Sequence, residues 1–127
     1  YLCMEAEHQC GMKGYFLAYG YRYCHQTIQE KKTEKFSDEG LEWLDKTRLC
    51  LQQKIDELPD ENQCATIKKL AVDQHIDCYY DNGFCELARK DKGVLYRLLA
   101  SSLLRFKLTV PAFNKMVKRC GVKDAIF

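Results

Sequence analysis

Residues 50–85 read Cys50-LQQKIDELPDENQ-Cys64-ATIKKLAVDQHID-Cys78-YYDNGF-Cys85, and this stretch decides the fold. Thirteen residues separate Cys50 from Cys64, thirteen separate Cys64 from Cys78, and six separate Cys78 from Cys85. Apolar residues recur at helical spacing on both sides of the Pro59-Asp60-Glu61-Asn62-Gln63 break, with Leu51, Ile55 and Leu58 before it and Ile67, Leu70 and Ala71 after it. Two helices meeting at a turn are therefore expected, with cysteines at their ends and middles. The remaining four cysteines, Cys3, Cys10, Cys24 and Cys120, lie outside this hairpin and are placed to tie the flanking chain to it.

Eight cysteines in 127 residues is an even number at high density. Zinc is disfavoured because no C-x-x-C pair occurs and the spacings are long. Eight free thiols in a cytosolic protein would be unusual. A disulfide framework is the favoured reading, and it implies an oxidising compartment, hence a secreted, extracellular protein. Spacing alone leaves 105 pairings open. The chain begins inside its cysteine framework at Tyr1-Leu2-Cys3, which reads as a mature chain whose leader has been removed. No apolar run reaches the roughly 20 residues that span a bilayer; the richest, residues 94–106, is interrupted by Arg97 and Arg105. The length suits one domain, and 46% hydrophobic residues can supply a core.

Working outward, Ser37 is a good N-cap, with Asp38 and Glu39 favouring the positive end of the following helix. That helix is expected to run to about Leu58, its stripe made by Leu41, Leu44, Leu51, Ile55 and Leu58 with Trp43, Thr47 and Cys50 beside it. A helix over about residues 61–79 ends near the turn signal Asp81-Asn82-Gly83. A short helix starts at Phe84, and Leu95, Leu98, Leu99 and Leu103 give a long segment over 93–106 its core face. Thr109-Val110-Pro111 opens a last helix that ends at Cys120-Gly121. Upstream, residues 14–31 look helical with a loose start, and residues 1–13 form a stapled N-terminal arm. No strand-like alternation occurs. The expected fold is all-α: a compact disulfide-stapled bundle of four to five helices in a single domain over residues 1–127.

Charge is divided along the chain. Residues 1–85 carry ten Lys/Arg against fifteen Asp/Glu, a balance of −5; residues 86–127 carry ten against three, a balance of +7. The plain interpretation is two halves that attract each other. The sharper one is a basic face for an acidic protein, a glycan or a membrane surface. Tyr15, Tyr19 and Tyr23 recur every four residues and share a helix face. Together with Arg105, Lys107, Lys115, Lys118 and Arg119 they make up the candidate binding face. Nucleic acid is not an expected partner, because no concentrated Lys/Arg motif is present.

The cysteine pattern resembles that of the stanniocalcins, a family of secreted hormones. The matching features are the Cys64–Cys78 and Cys78–Cys85 intervals, the thirty-four residues between Cys85 and Cys120, Cys78-Tyr79 with a cysteine six positions after the tyrosine, and Phe36-Ser-Asp-Glu-Gly40 in place of a Phe-x-x-x-Gly segment. The resemblance covers about residues 24–120 and lies in the framework rather than in overall identity. It implies the pairings Cys50–Cys78, Cys85–Cys120, Cys10–Cys64 and Cys3–Cys24. It also implies a secreted helical protein acting by binding an extracellular protein or receptor, in the manner of a hormone or modulator. The family's covalent dimer uses a further cysteine beyond the helical core. With all eight cysteines paired, any homodimer here would not form through a free cysteine. No N-x-S/T sequon is present.

One segment looks catalytic. Asp73-Gln-His75-Ile-Asp77-Cys78-Tyr79 is similar to the secreted phospholipase A2 signature His-Asp-x-Cys-Tyr, in which a histidine activates water beside a calcium-holding aspartate. Here Ile76 takes the aspartate's position and Asp77 is one residue on, about 100° around the helix. No glycine-rich calcium loop accompanies it. A cluster of acids around Pro59 reads as a solvated turn. The expectation is therefore a binding protein with no catalytic residues, no metal and no cofactor. A venom or defence effector acting on membranes or channels is the alternative, and a calcium-dependent hydrolase using His75 is the second.

Overall fold

The computed structural model describes the backbone over residues 2–12, 20–32, 35–58, 64–106 and 109–126. Seven α-helices occur there: α1 (Leu2–His8), α2 (Arg22–Lys32), α3 (Asp38–Asp56), α4 (Cys64–Asp81), α5 (Arg89–Phe106), α6 (Thr109–Cys120) and α7 (Val122–Ile126). A 3-10 turn, Phe84–Glu86, lies between α4 and α5. No strand occurs among the described residues. The all-α, disulfide-stapled architecture is as expected. The helix count exceeds the expected four to five because the N-terminal arm contains α1 and the segment after Gly121 turns once more as α7.

The signals at helix ends act where the sequence places them. Ser37 caps α3 by accepting from the Gly40 backbone N–H at 3.0 Å. Phe36 and Leu41 occupy the two positions of a hydrophobic staple, and both belong to the core. Gly83 and Gly121 take positive φ values of 91° and 82°, a conformation that glycine adopts without a Cβ penalty. The short helix expected at Phe84 is only a 3-10 turn, closed by the Leu87 N–H donating to the Phe84 carbonyl. The long helix begins at Arg89 rather than at Gly93.

The core is built around aromatic rings from five elements. Trp43 of α3 meets Tyr79 of α4 edge-on, with ring centroids 5.0 Å apart, and Phe84 at 6.0 Å. Phe84 in turn meets Tyr79 at 5.9 Å and Tyr96 of α5 at 6.2 Å, and Tyr96 meets Phe113 of α6 at 6.4 Å. Phe36, Leu44, Ile76, Leu87, Val94, Leu95, Met116 and Ala125 complete the buried cluster. Of the residues expected to face inward, Leu70 is exposed. Ile76, the residue in the aspartate position of the phospholipase-like segment, is buried.

Three disulfides staple these elements. Cys50–Cys78 joins α3 to α4, Cys85–Cys120 joins the 3-10 turn to the end of α6, and Cys10–Cys64 joins the N-terminal arm to the start of α4. They span 28, 35 and 54 residues of sequence, so on the chain-entropy account each contributes about 3–4 kcal/mol. The fourth expected bridge is not formed: Cys3 and Cys24 are free thiols, the first exposed and the second half-buried. The arm is anchored at Cys10, about two helical turns along from Cys3, and α2 packs against α5. The expectation that every cysteine is paired therefore fails at these two positions.

Candidate functional site

The side chains singled out in the sequence are distributed over several places. Tyr15, Tyr19 and Lys107 lie outside the described residues, as do the side chains of Tyr23 and Arg105. Lys115 and Arg119 sit one turn apart on α6 and face α4. There Lys115 donates to Asp73, and Arg119 lies 2.5 Å from Asp77. The Arg119 guanidinium also covers the Tyr80 ring at 5.3 Å. Lys118 is exposed on another side of α6. The proposed face is thus divided: two of its cations form a ladder that holds the basic half of the chain on the acidic half. Both ion pairs are half-exposed, so their contribution is small. A double-mutant cycle on Asp77→Asn and Arg119→Gln is expected to give a coupling of about 0.5 kcal/mol that fades in high salt. A coupling unchanged by salt would contradict a screened surface pair.

The same ladder removes the acids from His75. Asp73 and Asp77 are turned to α6, whereas His75 is bound within its own helix, Nδ1–H donating to the Ala71 carbonyl at 2.7 Å. Its ring stands 6.1 Å from Tyr79. Burial lowers its pKa, only partly offset by the bond to Ala71, so the ring is neutral at pH 7. Among the described residues, no three His, Cys, Asp or Glu side chains converge where a metal ion could bind. No described helix is long and apolar enough to cross a membrane.

A second polar constellation was not anticipated. Asp91 and Lys92 are 0% and 1% exposed, an uncommon state for neighbouring charged residues. Asp91 accepts from the Ser37 N–H at 2.8 Å through one oxygen and from the Ser37 hydroxyl at 2.5 Å through the other. Lys92 donates to the carbonyls of Cys85 at 2.8 Å and Asp124 at 2.6 Å, with its ammonium 5.7 Å from the Phe84 ring centroid. One turn on, the Tyr96 hydroxyl donates to the Ala125 carbonyl. These polar groups are engaged in joining α5 to the start of α3, the 3-10 turn and the end of α7. They bind the fold together and present nothing to a ligand.

On another side of α5 the surface carries a shallow, wide-open groove. It has a volume of about 820 Å³ and is lined by Lys35, Arg89, Lys90, Gly93, Val94 and Arg97. Four of the six are cations and none is acidic. Arg89, Gly93 and Arg97 follow at i, i+4 and i+8, so they lie along one face of the helix. Lys35 comes from the segment before α3, so packing rather than local sequence completes the site. The periodic cations on this segment were a signal that the leucine pattern of the same helix obscured.

Compared with known proteins, the chain matches no family model, no curated protein and no solved structure.

Proposed function

We propose that this chain is an extracellular, disulfide-stabilised helical protein that acts by binding another macromolecule, as a hormone-like ligand or modulator. The observation that carries the reading is the set of three bridges joining otherwise separate helices, a device of proteins that work in oxidising surroundings. Cys50–Cys78, Cys85–Cys120 and Cys10–Cys64 are also the pairings implied by the stanniocalcin-like spacing. Asp73, Asp77, Asp91, Lys92, Lys115 and Arg119 are all engaged in contacts between elements of the fold. The hydrolase alternative draws no support from His75, whose Nδ1 is bonded to its own helix and whose neighbouring acids are held by α6.

The test is a binding experiment with the oxidised protein on intact cells and on secreted proteins. Saturable binding is expected, with a dissociation constant on the order of micromolar or tighter, displaced by unlabelled protein and lost after reduction of the bridges. Non-saturable binding throughout, together with robust calcium-dependent phospholipid hydrolysis, would overturn the reading in favour of an enzyme.

A further inference from the structure

We infer that the groove along α5 is a binding site for a linear sulfated polysaccharide. This inference rests on the extracellular reading above and gives it a partner chemistry.

The groove combines positive charge, concavity and an open backbone. Lys90 and Arg97 are exposed on the same helix, seven residues or about 10 Å apart. Gly93 lies between them, exposed, and a Cβ placed on it would meet nothing within 4 Å. A chain can therefore lie against the helix backbone at Gly93 while Lys90 and Arg97 reach it from either side. Lys35 and Arg89 hold contacts of their own and add charge and shape to the wall. Guanidinium forks bind planar pairs of anionic oxygens, and ammonium groups act as point charges beside them. Cations repeated along a helix suit anionic groups repeated along a chain.

The lining also separates this ligand from other polyanions. Among the described residues, none of the exposed large apolar side chains, such as Val110, Val122 or Leu49, lines the groove to serve as the apolar anchor of a bilayer surface. No aromatic side chain among the described residues lines it on which a nucleic-acid base would stack. The one apolar side chain among the described lining residues, Val94, is buried and offers an acidic peptide no anchor pocket. A hydrophilic chain bearing sulfates requires none of these.

The experiment uses the full oxidised chain on immobilised heparin, with elution by a salt gradient. Retention is expected. Lys90→Gln with Arg97→Gln should weaken binding by about tenfold or more. Lys118→Gln with Lys123→Gln removes the same charge from exposed positions elsewhere and should weaken it far less. Gly93→Glu, at a site where the backbone has room for a side chain, should abolish retention with thermal stability unchanged, whereas Gly93→Ala should retain it. Desulfated heparin and single-stranded DNA of matched charge should compete poorly. Flow-through of the wild-type protein, equal losses from the two double variants, or equal competition by DNA or desulfated chains would each overturn the inference. Saturable binding to cells treated with heparan-sulfate lyase, without heparin retention, would overturn the glycan site and leave the broader partner reading standing.

Discussion

Gly40→Ala is expected to destabilise the protein by about 2–3 kcal/mol, lowering its melting temperature by roughly 10 °C. A Cβ at position 40 would lie 2.5 Å from the Asp91 Cγ and one of its oxygens and 2.8 Å from the other. Asp91 cannot move aside without releasing the Ser37 N–H and hydroxyl, which it holds at 2.8 and 2.5 Å. It is fully buried, so no solvent replaces those bonds. Asp91→Ala should itself cost about 2–3 kcal/mol, because it leaves two donors without their acceptors. The informative result is the cycle. In the Asp91→Ala background the space is open, and Gly40→Ala should become neutral or stabilising by up to about 1 kcal/mol, the ordinary helix preference for alanine. Additive losses in denaturant titrations of the oxidised proteins would show that the two residues do not share one space.

This contact also gives a physical reading to Phe36-Ser-Asp-Glu-Gly40. Phe36 enters the core, Ser37 caps α3, and Gly40 admits the carboxyl group of α5 against the helix backbone. The cap was legible in the sequence because capping is local, within three residues. The turns at Gly83 and Gly121 were legible for the same reason. The glycine at position 40 carried no local signal, since its partner lies fifty-one residues away.

The core face of α5 shows where polarity misleads. The leucine pattern at residues 95, 98, 99 and 103 extends backwards by helical spacing onto 91 and 92, which are both buried. Each charge is accommodated inside by partners that no local rule supplies: Ser37 for Asp91, the carbonyls of Cys85 and Asp124 for Lys92. The terminal helix α7 is five residues long, too short for a hydrophobic period to register. The groove was half legible. Arg89, Lys90 and Arg97 cluster visibly around Gly93, but Lys35 reaches them only through the packing of the bundle. For the cysteines, Cys50–Cys78 and Cys85–Cys120 agree with the implied pairing inside the matched stretch, Cys10–Cys64 agrees although Cys10 lies before it, and the pairing fails at Cys3 and Cys24.

Lys92→Met is expected to cost about 2 kcal/mol and to loosen α7 first. Methionine keeps most of the lysine's volume, so little of the effect comes from a cavity. Two opposing consequences remain. The variant is relieved of burying an ammonium group, which favours it. It also leaves the carbonyls of Cys85 and Asp124 without their donor, and hydrogen bonds from a charged group are worth about 1.5–3 kcal/mol each. The second effect prevails because both acceptors stay in place when the donor goes. The Asp124 carbonyl belongs to the end of α7, where carbonyls lack partners within the helix and a cation is favoured by the helix dipole. Amide hydrogen exchange should therefore rise across α7 before it rises in α3 or α4, which are joined by Cys50–Cys78. The pH dependence supplies a second readout. Burial lowers the Lys92 pKa below 10.5, with Asp124 and Glu86 opposing. Between the folded value and 10.5 the unfolded chain holds the extra proton, so Lys92 makes stability rise with pH through that window and level off above it. Tyr96 acts the other way: burial raises its pKa above 10.0, and its contribution falls as pH climbs past that value. In a Tyr96→Phe background the rise from Lys92 stands alone, and Lys92→Met should remove it. A methionine variant with wild-type stability, unchanged exchange in α7 and the same alkaline slope would show that the ammonium does not hold the last helix in place.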